Sequence, residues 1–297
     1  MKRFFSIVLL VFPLLFASCF SPALEDENGT EVLDPNTVRV SFSITSIEQI
    51  PFDGIDTRAS IADLCSRATF AVFQEGSKVK SINQQSDDAG FGTFNLSLSP
   101  GVYEFVIIAH NGLGNCTVSS PDKITFANNK CTDTFYFYDT IEVSGELNQS
   151  VSLSRCVAMF RLQTLDDIPS NVSQMQFYYT GGSSTFSAVS GYGCVNSRQT
   201  ETFSLTASQT GHPGTFEVYT FPHAETGDLK MTVTALDASQ KTVAEREFNP
   251  LPVTINRITS CTTQFFTSSG GGGSSASGGV NLSIRDNGEW DGVDEID

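Results

Sequence analysis

VRVSFSIT (residues 38–45) alternates apolar and polar side chains without a break. Successive side chains of a β-strand point to opposite faces, so Val38, Val40, Phe42 and Ile44 share one face and the polar residues share the other. The segment therefore predicts a strand that is buried on one side. Such a strand needs a second layer to cover its apolar face, which favours a β-sandwich.

Similar short strand patterns recur along the rest of the chain, separated by turn signals such as Ser99-Pro100-Gly101. The chain contains 24 Phe and 7 Tyr, residues that favour pleated, half-buried surfaces. No segment has the pattern of a long amphipathic helix, and we predict an all-β fold. The further strands are predicted at residues 68–74, 93–98, 102–109, 134–138, 157–162, 175–180, 202–206, 215–221, 229–236, 242–248 and 253–258.

The strand pattern is interrupted once near the middle of the chain, by the polar stretch Ser144-Gly145-Glu146-Leu147-Asn148-Gln149. We place a domain boundary there, which gives an N-terminal β-sandwich at residues 36–150 and a C-terminal one at 151–297. Two domains of this size are typical of a chain of this length. The prediction is two tandem antiparallel sandwiches, each closing the apolar faces of its sheets against each other.

The first 18 residues have the features of a signal peptide, with Lys2 and Arg3 followed by an apolar run at residues 4–16. A helix of that length rises only about 20 Å, too short for a hydrocarbon core of about 30 Å. The small pair Ala17-Ser18 before Cys19 resembles the lipobox of bacterial lipoproteins, which implies acylation of Cys19, palmitate included. The alternative is an ordinary secretory signal with an incidental cysteine. Residues 19–35 are polar and acidic, which indicates a flexible tether.

Charge and motifs argue against two large classes of function. Removing Lys2 and Arg3 leaves 15 basic against 33 acidic side chains, and a formal charge of −18 disfavours nucleic-acid binding. No catalytic motif or metal-ligand spacing occurs, and we expect no enzyme activity, no cofactor and no metal. The three histidines are expected in ordinary surface or turn positions: His110, His212 and His223.

Six cysteines remain if Cys19 carries lipid, and an even number in an exported protein permits disulfides. Cys116 and Cys131 flank one loop and are the best candidates for a pair. Cys156 and Cys194 are expected to be small core hydrophobes.

The end of the chain differs in composition from the rest. Residues 270–279 read GGGGSSASGG, which predicts a flexible loop, and Val280, Leu282 and Ile284 then alternate with polar residues in a last strand. This strand has two interpretations: an edge strand of its own chain, or a donor strand that completes a neighbour's sheet.

The chain resembles the fimbrillin-related lipoproteins of Bacteroidetes, and most closely the minor, anchor-type subunits of type V pili. The resemblance rests on the lipobox at Cys19, the two sandwich-like halves, the central segment at residues 151–160, Asp167-Ile168-Pro169 and residues 177–181. The resemblance implies transthyretin-like sandwiches and a lipid anchor at the cell outer membrane, with the protein exposed at the cell surface. It also implies other fimbrial subunits as partners and assembly by β-strand donation. The acidic run Glu25-Asp26-Glu27 is similar to the signal for surface exposure in such lipoproteins.

Arg58 and Ala59 follow the first strand, where stalk subunits of that family are cut; the alternative is a solvated loop residue. The leading hypothesis is therefore a structural protein that anchors or caps a fimbrium (pilus). The other hypothesis is a monomeric cell-adhesion module that binds host protein or glycan through Tyr178, Tyr179 and Tyr192.

Overall fold

The computed structural model describes residues 34–48, 61–267 and 281–285. Its secondary structure consists almost wholly of strands, together with one four-residue helix and a short 3-10 segment at Ala127–Asn129. The predicted all-β fold built from antiparallel sandwiches is confirmed. The first half contains β1 (Val38–Glu48), α1 (Ile61–Leu64), β2 (Arg67–Gln74), β3 (Ser77–Gln85), β4 (Thr93–Leu98), β5 (Gly101–His110), β6 (Thr117–Ser120), β7 (Lys123–Thr125), β8 (Thr134–Val143) and β9 (Leu147–Arg155).

Seven of these strands form one sheet in the order β3-β2-β5-β8-β9-β1-β4. Strands β8 and β9 pair at only two positions, so the sheet turns there and folds back on itself. The ring of Phe42 on β1 lies 5.1 Å from that of Phe70 on β2 and 4.7 Å from that of Phe105 on β5, between ring centroids. The alternating face predicted for residues 38–45 is thus one wall of the first core.

The second half forms another sandwich. It contains β10 (Ala158–Thr164), β11 (Val172–Thr180), β12 (Thr185–Ser187), β13 (Tyr192–Gly193), β14 (Gln199–Ser204), β15 (Thr215–Thr220), β16 (Thr226–Asp237), β17 (Thr242–Thr254), β18 (Ile258–Thr263) and β19 (Asn281–Arg285). The sheet β15-β10-β18-β19 packs on the sheet β14-β11-β16-β17. Between them Phe160 lies 5.4 Å from Phe248, and Phe177 lies 5.9 Å from Phe216, between ring centroids.

A third, small sheet joins the two halves of the chain. Its order is β13-β12-β7-β6, and β12 of the second half pairs with β7 of the first. Below it a separate core combines Ile108 from the outer face of the first sandwich with Phe186 and Phe221 from the second half. The two halves therefore share both a sheet and a buried core.

The region predicted as a domain boundary is a regular strand. β9 runs through it and pairs in parallel with β1 from Val40 opposite Leu147 to Glu48 opposite Ser154. The boundary placed between residues 150 and 151 falls inside β9, and the division into two domains stays a prediction. Only the buried pair Cys156-Val157 separates β9 from β10.

Some strands differ from their predicted bounds. The predicted strand at residues 253–258 is wrong, because β17 ends at Thr254 and β18 begins at Ile258, with Asn256 at a φ of 58° in the turn between them. Strand β3 was not predicted, since its side chains are mostly exposed and show no apolar face. Most strand pairings are antiparallel as predicted, but β1 with β9 and β10 with β18 are parallel.

Candidate assembly sites

Strand β1 lies in the interior of the first sheet, with a partner on each side. Six residue pairs join it to β4 and eight join it to β9. Its inward side chains Val40 and Phe42 are fully buried. At its far end the Thr45 hydroxyl donates to the carbonyl of Val151 over 3.2 Å. Withdrawing β1 would therefore break backbone bonds on both of its edges and expose its buried face at the same time.

Strand β19 is an edge strand at the other end of the chain. It pairs antiparallel with β18, from Ile258 opposite Arg285 to Thr262 opposite Asn281. No second strand borders it in the part of the chain that the structure describes. Predicted donor residues Leu282 and Ile284 thus lie within an edge strand of their own chain, the first of the two interpretations. Val280 lies outside the described residues.

Asp166 holds residues 265–267, which follow β18, by hydrogen bonds to its side chain. Its carboxylate accepts hydrogen bonds from the backbone N–H groups of Phe265, Phe266 and Thr267, each over 2.7 Å, and from the Thr267 hydroxyl over 3.0 Å. Partial burial raises the pKa of this carboxyl, but the four hydrogen bonds outweigh that effect and hold the pKa below its usual value. The anionic form of Asp166 therefore clamps residues 265–267 to the turn after β10.

The junction between the two halves is held by a buried arginine at the end of β9. The side chain of Arg155 is fully buried and forms a two-point ion pair with Asp133, at 2.8 Å from Nε to Oδ1 and 3.1 Å from Nη2 to Oδ2. Its Nη1 donates to Asn256 of the second half over 2.9 Å. The guanidinium also lies 4.7 Å from the ring centroid of Phe135. Arg155 therefore ties β8 and β9 to the turn between β17 and β18.

Neither Arg155 nor Asp166 was singled out from the sequence as a functional residue. Asp166 and Asp167 were interpreted only as a pair of acids that favour solvent, and Arg155 belonged to a segment used for the family resemblance. Their partners lie far along the chain: Asn256 is 101 residues after Arg155, and Phe265 is 99 residues after Asp166. The only local signal is a charged residue, Arg155, directly before the apolar pair Cys156-Val157.

Several predicted site residues lie outside the described part of the chain: Cys19, Arg58, Ala59 and Val280. Lipidation and proteolytic processing therefore stay predictions. No helix in residues 34–48 or 61–267 is long and apolar enough to cross a membrane. Within the described residues no cluster of three or more His, Cys, Asp or Glu side chains could hold a metal ion.

The three tyrosines predicted as a ligand platform do not form one surface. Tyr179 is fully buried, and its hydroxyl donates to the carbonyl of Tyr219 over 2.8 Å, so its predicted role as a platform is wrong. Tyr178 precedes it on the same strand, faces the opposite side and is 41% exposed. Tyr192 is half-buried in the small sheet.

All six described cysteines are free thiols, including Cys116 and Cys131, the predicted pair. Burial is the main cause that raises the pKa of Cys116 to about 11 and that of Cys131 to about 12. Cys156 is a core residue as expected, whereas Cys194 is exposed, so the prediction of a core position for it is wrong. These side chains are neutral thiols at physiological pH.

His110 was expected in a surface or turn position, but it is fully buried at the end of β5. Its Nδ1 accepts a hydrogen bond from the Gly112 N–H over 2.9 Å. Burial and, second, the charge of Arg67 lower the pKa of His110 to about 4. His110 is therefore neutral at physiological pH, and its ring meets that of Phe126, a residue of the core shared by the two halves, edge-on.

Three solved structures are similar to this chain in part. A candidate polysaccharide-binding protein from Bacteroides thetaiotaomicron is 13% identical, with a TM-score of 0.48, and covers 88% of this chain and 98% of its own. The fimbrial anchor protein Mfa2 from Porphyromonas gingivalis is 7% identical, with a TM-score of 0.41, and covers 76% of this chain and 90% of its own. The tip fimbrial protein Mfa3 of the same organism is 10% identical, with a TM-score of 0.33, and covers 76% and 93%.

No curated protein sequence matches the chain. A family model does, and its match runs from residue 30 to residue 293, through both sandwiches and β19. Such a match covers most of the chain and places the protein among fimbria-associated proteins of the cell envelope. The chain belongs to the family of fimbrillin-A associated anchor proteins Mfa1 and Mfa2.

Proposed function

We propose that the protein is a non-enzymatic lipoprotein that anchors a fimbria, or forms a minor structural subunit of one, at the surface of the outer membrane. In this role the lipid on Cys19 holds the chain in the membrane, and the folded body binds other fimbrial subunits. Family membership supports the fimbrial role. The proposal rests on one structural observation above the others, the central position of β1.

An anchor must transmit force from the fimbria to the membrane. In the proposed arrangement Cys19 is joined to β1 by a short segment, and the 19 residues at positions 19–37 span at most about 65 Å when fully extended. Force on that segment acts along β1, whose backbone is bonded to β4 on one side and to β9 on the other. A strand loaded along its length in this way must break many backbone hydrogen bonds at once, which suits a permanent attachment.

The anchor role requires an uncut link between Cys19 and β1. Mass spectrometry of the protein from cells should therefore find an acylated N-terminal Cys19, and Cys19→Ala should release the protein from the membrane fraction. Arg58→Ala is the matched control, because it removes the candidate cleavage site without touching the lipid. A mature chain that begins at Ala59 would contradict the anchor role and would indicate a polymerising stalk or tip subunit.

We further propose that β19, with Val280, Leu282 and Ile284, is offered to a neighbouring subunit. Within residues 34–48, 61–267 and 281–285 its backbone is paired on one side only, so it can leave β18 and add to another open sheet edge. A fimbrial subunit that binds the full chain should then fail to bind a chain truncated before residue 280.

An engineered disulfide between β18 and β19 tests whether β19 must leave its own sheet for subunit binding. Cys261 on β18 lies opposite Leu282, and directly paired residues in an antiparallel ladder are close enough for a disulfide. Leu282→Cys, once oxidised, should hold β19 in its own sheet and abolish subunit binding, and a reductant should restore it. Ser283→Cys is the control, because Ser260 stands opposite and no bridge can form. Undiminished binding by the locked protein would exclude donation by β19.

An adhesive role is the second candidate function, in the form of a glycan-binding surface. The observation that favours it is not the tyrosine set predicted from the sequence, but a cleft at the junction of the two halves.

A further inference from the structure

A cleft of about 440 Å³ opens between two edge strands of the second sandwich and the loop that precedes β8. Strand β14 forms one wall, β15 forms the other, and Lys130 to Thr132 close the end toward the first half. The volume lies within the range of roughly 300–1,000 Å³ that is usual for small-molecule sites. The cleft is independent of β1 and β19, and hence of the proposed anchoring role.

The charges around this cleft cancel. The Lys130 ammonium lies 2.9 Å from Oε2 of Glu201. On the opposite wall Nε of Arg161 donates to Oε1 of Glu217 over 2.8 Å. Two cations therefore balance two carboxylates, and neither a strongly anionic nor a strongly cationic ligand gains a net attraction. This balance favours an uncharged ligand.

The same side chains keep unused hydrogen-bonding capacity. Each carboxylate has two oxygens, and Oε1 of Glu201 and Oε2 of Glu217 have no hydrogen bond to the described residues. Acceptors of this kind suit a ligand that carries several hydroxyl groups, because each hydroxyl can donate to one of them.

Two half-buried rings supply an apolar surface in the same cleft. Phe203 on β14 is held by Phe177 and Phe216, with centroid distances of 5.4 and 5.5 Å, so its ring has little freedom to move. Tyr219 lines the other wall, and burial raises the pKa of its hydroxyl far above the usual value, so that the group stays neutral. A sugar ring has this dual character, with a C–H face that packs on aromatic rings and a rim of hydroxyls.

We propose that this cleft binds a neutral saccharide of one or two rings. An engineered cavity of about 150 Å³ holds a benzene molecule, so a cleft of about 440 Å³ has room for a disaccharide. Glu201 and Glu217 take the sugar hydroxyls, and Phe203 and Tyr219 pack against its ring faces.

The test measures binding of defined sugars to the purified full chain by saturation-transfer NMR. The probes are the neutral disaccharides maltose, cellobiose, lactose and N,N′-diacetylchitobiose, with glucuronate and glucosamine as charged controls. At least one neutral disaccharide should bind at millimolar concentration, and the two charged sugars should bind at least tenfold more weakly. No binding by any of the four at 10 mM would overturn the proposal, as would a preference for either charged sugar.

Two variants locate the site. Thr215→Trp places a large ring in the cleft at an exposed position of β15, and Glu201→Gln removes one carboxylate without a change of shape. Each should weaken binding at least tenfold. The control is Glu247→Gln, which removes a carboxylate from an exposed ion pair with Lys230 on the far side of the same sheet and should leave binding within twofold.

Thr215 is exposed, so Thr215→Trp should fold normally, which an unchanged melting temperature would verify. Unchanged sugar binding by Thr215→Trp would place the sugar elsewhere and overturn the proposal. A synthetic peptide of residues 280–297 serves as the competing ligand. If the peptide binds the cleft and no sugar does, the cleft is a strand-docking site and the saccharide proposal is wrong.

Discussion

Replacement of Arg155 by methionine should destabilise the protein far more than any other single loss of an ion pair in the described residues. The Arg155 side chain is fully buried, whereas the Asp133 side chain is 15% exposed. Methionine fills much of the same space but removes the bonds that Arg155 donates to the Asp133 carboxylate and to the Asn256 side-chain oxygen. Breaking a buried pair in this way costs about 3–5 kcal/mol, because the largely buried Asp133 carboxylate loses the charge of Arg155.

The magnitude can be compared within the same molecule. Arg161→Met also removes an arginine from a two-point contact with a carboxylate, but Glu217 is 36% exposed and water can replace the lost partner. That loss should cost at most about 1 kcal/mol. Arg155→Lys keeps the charge but cannot form the planar two-point contact, so it should fall between the two.

Urea unfolding followed by far-ultraviolet circular dichroism measures these differences. With a slope of roughly 1–3 kcal/mol per molar urea, the midpoint for Arg155→Met should fall by at least about 1 M, and that for Arg161→Met by much less. Adding Asp133→Leu to Arg155→Met should recover part of the loss, because the carboxylate that lost Arg155 is then gone. Equal midpoints for the two arginine variants would refute the view that Arg155 holds the junction together.

Four further outcomes are expected. Phe42→Ala should cost about 3–5 kcal/mol in urea unfolding, since it empties the space between β1 and the rings of β2 and β5. His110 has a pKa of about 4 in the folded protein against an ordinary 6.5, so the unfolded state binds the proton first as the pH falls. The free energy of unfolding should therefore fall by on the order of 3 kcal/mol between pH 6.5 and pH 4. His110→Leu should flatten that part of the pH profile. The pKa of Asp166 is lowered, so its contribution to the free energy of unfolding is present above the unfolded pKa of 3.8 and is lost as the pH falls through the folded pKa. Asp166→Asn should speed amide exchange at residues 265–267 at pH 7. Among the described cysteines Cys194 should react first with a thiol reagent under native conditions, and Cys194→Ser should delay the reaction until the protein unfolds.

The strands with a regular apolar face were predictable from the sequence. Phe42 illustrates the reason: burial on one side leaves a period-two pattern that local reading detects. Strand β3 has no such pattern, because it lies at a sheet edge with mostly exposed side chains. Strand β9 was interpreted as a boundary for a related reason, since the residues at its start are exposed or half-buried.

The junction could not be predicted from local sequence. Arg155, Asp133 and Asn256 form a site only after β8, β9 and the turn before β18 come together, and no fixed spacing in the sequence encodes that. The same holds for the cleft lined by Lys130 and Glu201, whose members lie on a loop of the first half and a strand of the second. The tyrosine platform was wrong because an exposed ring and a buried ring cannot be told apart in a strand whose two faces both carry aromatic residues.

The parallel pairing of β1 with β9 affects the order in which the strands of the first sheet can fold. Val40 pairs with Leu147, so one edge of β1 pairs with a strand that lies 107 residues later in the sequence. Contacts so distant in sequence form slowly, because a long loop must close first. During that interval β1 has only β4 to hold it, and a strand from another molecule could take the vacant side.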